Sequence, residues 1–160
     1  MGYALTLLMA ASCYVPPVSA AISQPFVAPA CTYCPGHRGV EYNTAPGTRV
    51  GAAAAGVVTF AGVVAGVRYV VVLHADGIAA TYGDLGSTSL STGAGVSVGE
   101  AVGTSTGGLY FGLRRGDVYL DPADYLGVVR HRPRLVPSSG RPGRPPKPLP
   151  ATCPAARPAR

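Results

Sequence analysis

A histidine and a carboxylate stand four residues apart in Gly36-His37-Arg38-Gly39-Val40-Glu41, where the glycine-punctuated part of the chain begins. Set by glycines at the mouth of a β-sheet, this spacing can bring an imidazole nitrogen and a carboxylate oxygen onto one divalent metal. Zinc hydrolysis asks for more: three protein ligands, with a fourth position left for a water whose pKa the metal lowers. Further histidines are few. His74 closes the apolar run Tyr69-Val70-Val71-Val72-Leu73 just before Asp76-Gly77, where a hydrogen-bonded structural role is expected, and His131 lies among prolines and arginines.

Short strands must position these groups. Residues 57–61, 68–74, 78–82, 100–103, 110–114 and 118–120 read as strands, being Val-rich or aromatic runs bounded by glycine. Residues 69–73 are continuously apolar, the pattern of a strand buried on both faces. Asp76-Gly77 predicts a two-residue type I′ hairpin, and residues 62–66 the corner before it. Several antiparallel strands with glycine corners make an all-β barrel or sandwich.

Taken in order, the motifs are Gly36 to Glu41, Gly47-Thr48-Arg49-Val50-Gly51, Leu73-His74-Ala75-Asp76-Gly77, Thr81-Tyr82-Gly83-Asp84-Leu85 and Gly112-Leu113-Arg114-Arg115-Gly116-Asp117. Across residues 36–126 this series resembles the lysostaphin-type (LytM-like) zinc metalloendopeptidases, a family of peptidoglycan hydrolases. The resemblance implies a barrel-sandwich hybrid, the duplicated hybrid motif, with a groove across one sheet. It also implies a zinc held by the His and the acid of the first motif and by the second His of a later His-x-His. Here His37 matches the first ligand and Glu41 stands where Asp is usual. Asp84 occupies the place of a catalytic His, Gly108 that of the first His of the pair, and Tyr110 that of the last ligand. The reading is therefore a degenerate member: His37 and Glu41 as a vestigial metal pair, no catalytic residue, and Arg38, Tyr82, Asp84 and Tyr110 as binding residues. No cofactor is expected. The alternative is an active zinc endopeptidase cutting peptidoglycan cross-links with an unrecognised third ligand, for which Asp84 is a candidate.

The ends of the chain carry a different message. The apolar residues 4–18, followed by Val18-Ser19-Ala20, read as a secretory signal peptide over residues 1–20, cut at Ala21. Lipidation at Cys13 ranks below this, and an uncleaved anchor would be broken by Pro16-Pro17. Residues 21–35 form an extended lead-in in which Pro25, Pro29 and Pro35 oppose regular structure. After an export signal, Cys31 and Cys34 read as a local disulfide or two free thiols; a Cys-Cys-His metal site lacks a fourth ligand. Net charge is +6 over 160 residues, but residues 1–126 hold five Arg against seven acids. Residues 127–160 hold seven Arg, one Lys, nine Pro and no acid. Such a tail cannot bury enough surface to fold and is expected to be disordered. Its charge suits an anionic wall polymer or peptidoglycan carboxylates, with nucleic acid not expected. Cys153 within it has no assured partner. The expected protein is thus a secreted, envelope-associated domain that binds the wall or regulates a wall hydrolase, with no stable membrane span after cleavage. A purely structural envelope protein held by its tail is a third class.

Overall fold

The structure, a computed structural model, describes residues 13–31 and 33–127. The expected disordered tail beyond residue 127, and the first twelve residues of the expected export signal, lie outside the described residues.

Among the described residues, nine antiparallel strands form one open sheet: β1 (Ile22–Gln24), β2 (Val40–Asn43), β3 (Arg49–Gly51), β4 (Gly56–Val64), β5 (Val67–His74), β6 (Ile78–Ser87), β7 (Gly95–Val96), β8 (Ala101–Arg115) and β9 (Val118–Leu120). Their order is β1-β2-β8-β6-β5-β4-β7, with β3 and β9 also paired to β8. A 3-10 turn, Pro122–Asp124, capped by the Asp121 carboxylate, follows β9. The all-β expectation holds.

Strand β8 is the spine. Two separate strands were expected at 100–103 and 110–114, yet they are one strand of 15 residues running through Gly107 and Gly108. The glycines mark a change of partner rather than a corner: β3 pairs with residues 101–104 and β2 with residues 108–111. Along its other edge β8 pairs with β6. Leu109, Phe111 and Leu113 point into the core, each at most 1% exposed. By the two-residue period of a strand, Tyr110, Gly112 and Arg114 face the other way.

Three local expectations change. Asp76-Gly77 is not a type I′ turn, because only Gly77 has positive φ (80°). The Gly77 amide donates to the His74 carbonyl at 3.0 Å, giving a turn whose last residue alone is left-handed. The turn with two left-handed residues is Ala65-Gly66, between β4 and β5, at φ 50° and 84°. Strand β5 is buried on one face only. Val70 and Val72 are fully enclosed, whereas Leu73 on the opposite face is 44% exposed, since nothing among the described residues covers it there. The prolines of the lead-in flank regular structure instead of preventing it: β1 forms at the sheet edge, where a missing N–H is harmless.

The core also takes in residues ahead of β1. Tyr14 is fully buried and Val18 nearly so. The Tyr14 amide donates to the Tyr125 carbonyl at 3.1 Å, and its own carbonyl accepts from Gly127 at 2.8 Å. Its hydroxyl donates to the Asp76 carboxylate at 2.9 Å, and its ring meets His74 edge-on at 5.0 Å between centroids. His74 in turn donates from Nδ1 to the Ala55 carbonyl (2.8 Å), on the core side of the sheet. A cut at Ala21 would strip Tyr14 and Val18 from this core. Removing a fully buried aromatic costs about 3–5 kcal/mol, a large part of a small domain's stability. A chain beginning at Ala21 should therefore unfold at much lower urea than one beginning at Cys13, as followed by circular dichroism.

Burial also sets the behaviour of the tyrosines. Desolvation pushes Tyr42 and Tyr110 up to about 12, and raises Tyr14 and Tyr82 further still. The unfolded chain loses these protons near pH 10. Between that pH and the folded values the native state holds more protons, so stability falls as pH rises through the window. Below pH 10 these groups make no difference. Unfolding titrations should show stability level up to about pH 10 and then a steep decline, softened in Tyr42→Phe.

Candidate functional site

His37 is fixed from three directions. Its amide and carbonyl both bond to Val27 (2.8 and 2.9 Å), and its Nδ1 donates to the Pro25 carbonyl at 2.9 Å. A carbonyl can only accept, so Nδ1 carries the proton and a neutral ring leaves the Nε2 lone pair open. Nε2 is buried and lies 3.3 Å from Glu41 Oε1, though without the alignment of a hydrogen bond. The lead-in thus serves as the scaffold that orients the histidine.

The pair has the right separation for two ligands of one metal. Bonds of about 2.0–2.2 Å in a tetrahedral site place neighbouring donors a little over 3 Å apart. What it lacks is company. No group of three or more His, Cys, Asp or Glu within reach of one cation occurs among the described residues. The longer arm of Glu41 does not prevent the approach, but the donor set does not fit a resident catalytic zinc.

Asp84 comes near without completing the set. It sits at a bulge in β6 with φ 59°, a conformation that Asp tolerates better than most residues. Desolvation, with the Glu41 charge second, holds its carboxyl above the usual carboxylate range. Gly108, opposite Asn43 on β2, has room for a side chain: the nearest atom to a Cβ placed there is the Tyr42 carbonyl oxygen, 3.8 Å away. Both cysteines of the lead-in are consumed by a Cys31–Cys34 disulfide, which removes them as metal ligands. Cys13 is likewise disulfide-bonded, leaving no thiol there for lipid.

Tyr110 departs most from a ligand's role. Its ring lies across two glycines. A Cβ at Gly39 would sit 2.8 Å from ring carbons of Tyr110, and one at Gly112 would sit 2.8 Å from its hydroxyl oxygen. The ring edge meets His37 at 6.0 Å between centroids. Beyond it opens a groove of about 370 Å³ on the uncovered face of the sheet, with Arg38, Tyr69, Thr81, Arg114 and Tyr119 among its lining. Arg38 stacks over Tyr119 at 5.4 Å and donates to the Cys34 carbonyl at 3.4 Å.

Of the expected binding residues, Arg38 and Tyr110 line this groove, whereas Asp84 is not part of its lining and feels the charge of Glu41. Tyr82 does not belong. It is fully buried, its hydroxyl accepting from the Ala53 amide at 2.8 Å and its ring packed against Phe111. It lies on the core side of β6, one residue out of phase with the groove. The residues overlooked were Tyr69 and Tyr119. Their odd-numbered register with Val71 on β5, and opposite Arg114 on β9, was the available signal.

The close fit of Tyr110 over Gly112 is testable. Gly112→Ala should cost about 1–3 kcal/mol by overpacking, with the smaller remaining contact being the Arg38 carbonyl oxygen at 3.2 Å. In a Tyr110→Ala background most of that cost should vanish, a non-additivity measured by urea unfolding of the two single variants and the double.

Several known proteins are similar to this chain. The family model described as peptidase family M23 matches residues 35–122. Among solved structures, Csd3 of Helicobacter pylori aligns with a TM-score of 0.65 at 26% identity, over 76% of this chain and 35% of that one. The chain therefore spans about a third of the length of Csd3. The catalytic domain of the prophage-encoded protein EnpA of Enterococcus faecalis aligns at 0.58 and 23% identity, over 70% of this chain and 97% of that one. The pore-forming SpoIIQ–SpoIIIAH complex aligns at 0.62 and 19% identity, over 73% and 92%; like EnpA, it speaks for the fold alone. No curated protein sequence matches. With its sheet, its His37–Glu41 pair and a family match across more than half its length, this chain belongs to peptidase family M23.

Proposed function

We propose that the chain is a non-catalytic, envelope-located member of its family that binds peptidoglycan, or a protein working on it, without cutting. The observation that carries this reading is the replacement of the last ligand by Tyr110, whose ring is folded over Gly39 and Gly112. With two donors, His37 and Glu41, nothing holds a zinc rigidly or leaves it a single open position. With Gly108 and Asp84 in the places of histidines, no second imidazole beside His37 is at hand among the described residues to take a proton or steady an oxyanion. Losing a general base alone typically costs about 10²–10⁴ in rate, and an oxyanion donor about 10²–10³.

Export to the envelope is supported by the disulfides at Cys13 and Cys31–Cys34, which suit an oxidising compartment. No helix among the described residues is long and apolar enough to cross a membrane. The eight cations of residues 127–160 supply a second, electrostatic hold on anionic wall polymer.

A second reading keeps one observation in its favour: the open Nε2 of His37, 3.3 Å from a carboxylate, is half of a metal site. One set of measurements separates the two. Purified protein should hold clearly less than one zinc per chain, release no fragments from cross-linked peptidoglycan, and co-sediment with insoluble peptidoglycan. Part of that retention should be lost in 1 M salt, where screening acts within about 3 Å, and in a chain ending at Leu126. Chelator-sensitive cleavage that disappears in His37→Ala would establish an active endopeptidase instead.

A further inference from the structure

We infer that the free edge of β4 is a homodimer surface, pairing with the same edge of a second copy of this chain, antiparallel about a two-fold axis at Gly62.

The backbone is the first argument. Along one side, β4 pairs with β5 from Gly56 to Val64. Along the other it meets β7 only through Gly56 and Val57, and Val58 bonds to residues 93 and 94 at 2.8 Å each way. In an antiparallel ladder the peptide groups of successive residues alternate between the two neighbours. Those of Val58 serve the β7 side. The bulge at Thr59 then moves the register from Val58 opposite Val72 to Phe60 opposite Val71, which resets the alternation. Phe60, Gly62 and Val64 therefore turn their N–H and C=O towards β5. Ala61 and Val63 turn theirs outward, where no described residue pairs with them. Two donors and two acceptors in a row call for a strand.

The side chains are the second. Natural sheet edges are guarded by charge, proline or short length. The far end of this sheet is guarded so: β1 has three residues and Pro25 follows it. Residues 59–66 hold neither a charge nor a proline. Phe60, Val63 and Val64 are 39%, 56% and 54% exposed.

The occupant follows from the order of these residues. A two-fold axis at Gly62 sets Ala61 opposite the partner's Val63, and the outward groups of both then close four hydrogen bonds. Phe60 faces the partner's Val64 on the open side of the sheet, an aromatic and β-branched pair of the kind that stabilises sheets. The Phe60 ring lies over Gly62, where a Cβ would sit 2.9 Å from its Cζ, so both rings lean towards the axis. No charge on the edge opposes the approach. Five residues of edge cover less than the roughly 1,200 Å² of a standard interface, so the dimer is weak. Side-chain alternation continues across the junction, which puts both open faces on the same side and presents two copies of the Tyr110 groove to one surface.

The test is sedimentation velocity on the full chain from about 10 µM to about 1 mM, the range of a weak complex, with amide hydrogen exchange followed by NMR at both ends. A monomer–dimer equilibrium should appear. Exchange at Ala61 and Val63 should slow as concentration rises, while Gly62, already bonded to β5, should not change. Ala61→Pro removes an N–H that the monomer does not use, and Val63→Lys sets like charges diagonally across the axis. Each should weaken the dimer about tenfold or more and leave the circular dichroism unchanged. Val98→Lys, at an exposed residue off this edge, should leave the dimer intact. A chain that stays monomeric throughout overturns the inference, as does a dimer that survives both edge variants. Open-ended association overturns it too, and so does protection of Ala61 and Val63 at every concentration, which means that the chain covers its own edge. Should Ala61→Pro fail to fold, Val63→Lys and the exchange rates decide.

Discussion

The side-chain alternation of β8 is the constraint from which the rest follows. Leu109, Phe111 and Leu113 must face the core, because they close it against Tyr82, Ile78 and Val40 from two other strands. That requirement leaves Tyr110, Gly112 and Arg114 no choice but the open face. A histidine at position 110 would present its ring nitrogen to the same space as His37 and Glu41. A tyrosine there is longer and flat, and it finds its place only because Gly39 and Gly112 carry no Cβ. The tyrosine on the spine strand thus lays its ring edge against His37, and the two glycines beneath it make the room it needs.

A second dependence ties the ends of the domain together. Tyr14 joins the segment before β1, the β5–β6 turn through Asp76, and the turn after β9 through Tyr125 and Gly127. Its hydroxyl is satisfied by a carboxylate and its ring by two edge-on aromatic contacts, His74 and Tyr125. A small sheet with one uncovered face has little core to spare, so a buried tyrosine supplied from outside the strands matters more here than it would in a larger domain. The buried Thr44–Ser105 pair plays a smaller version of this part. Thr44 donates to Ser105, and Ser105 donates to the Ala45 carbonyl, so that the first loop after β2 is held to β8 without an unsatisfied hydroxyl.

The His37–Glu41 pair is held in place by bonds that do not depend on a metal. His37 keeps the backbone clasp to Val27 and the Nδ1 bond to Pro25 that set its tautomer. Such outer bonds orient a ligand whether or not a metal arrives. They also hold the loop bearing Arg38, and Arg38 stacked on Tyr119 shapes the neighbouring groove. Preserving the histidine therefore helps preserve the groove.

The residue types and their order were enough to establish the all-β class and the family resemblance, and they display Asp84, Gly108 and Tyr110 where that resemblance implies histidines. Those conclusions rest on identity and spacing, which a sequence displays directly. The places of most strands were legible for the same reason, since glycine and alternation mark them locally. Which face of a strand meets water was not: Tyr82 and Tyr110 look equally suited to binding, and only sheet register puts one in the core and the other on the groove. The fusion of β8 across Gly107-Gly108 escaped notice because a glycine pair signals flexibility alike at a corner and at a change of partner. Nor could local pattern separate a leader-like apolar run from a core segment, as hydrophobicity is common to both. Tyr14 finds its partners 62 residues away at Asp76 and more than a hundred away at Tyr125, and contacts at that separation exist only once the chain has folded.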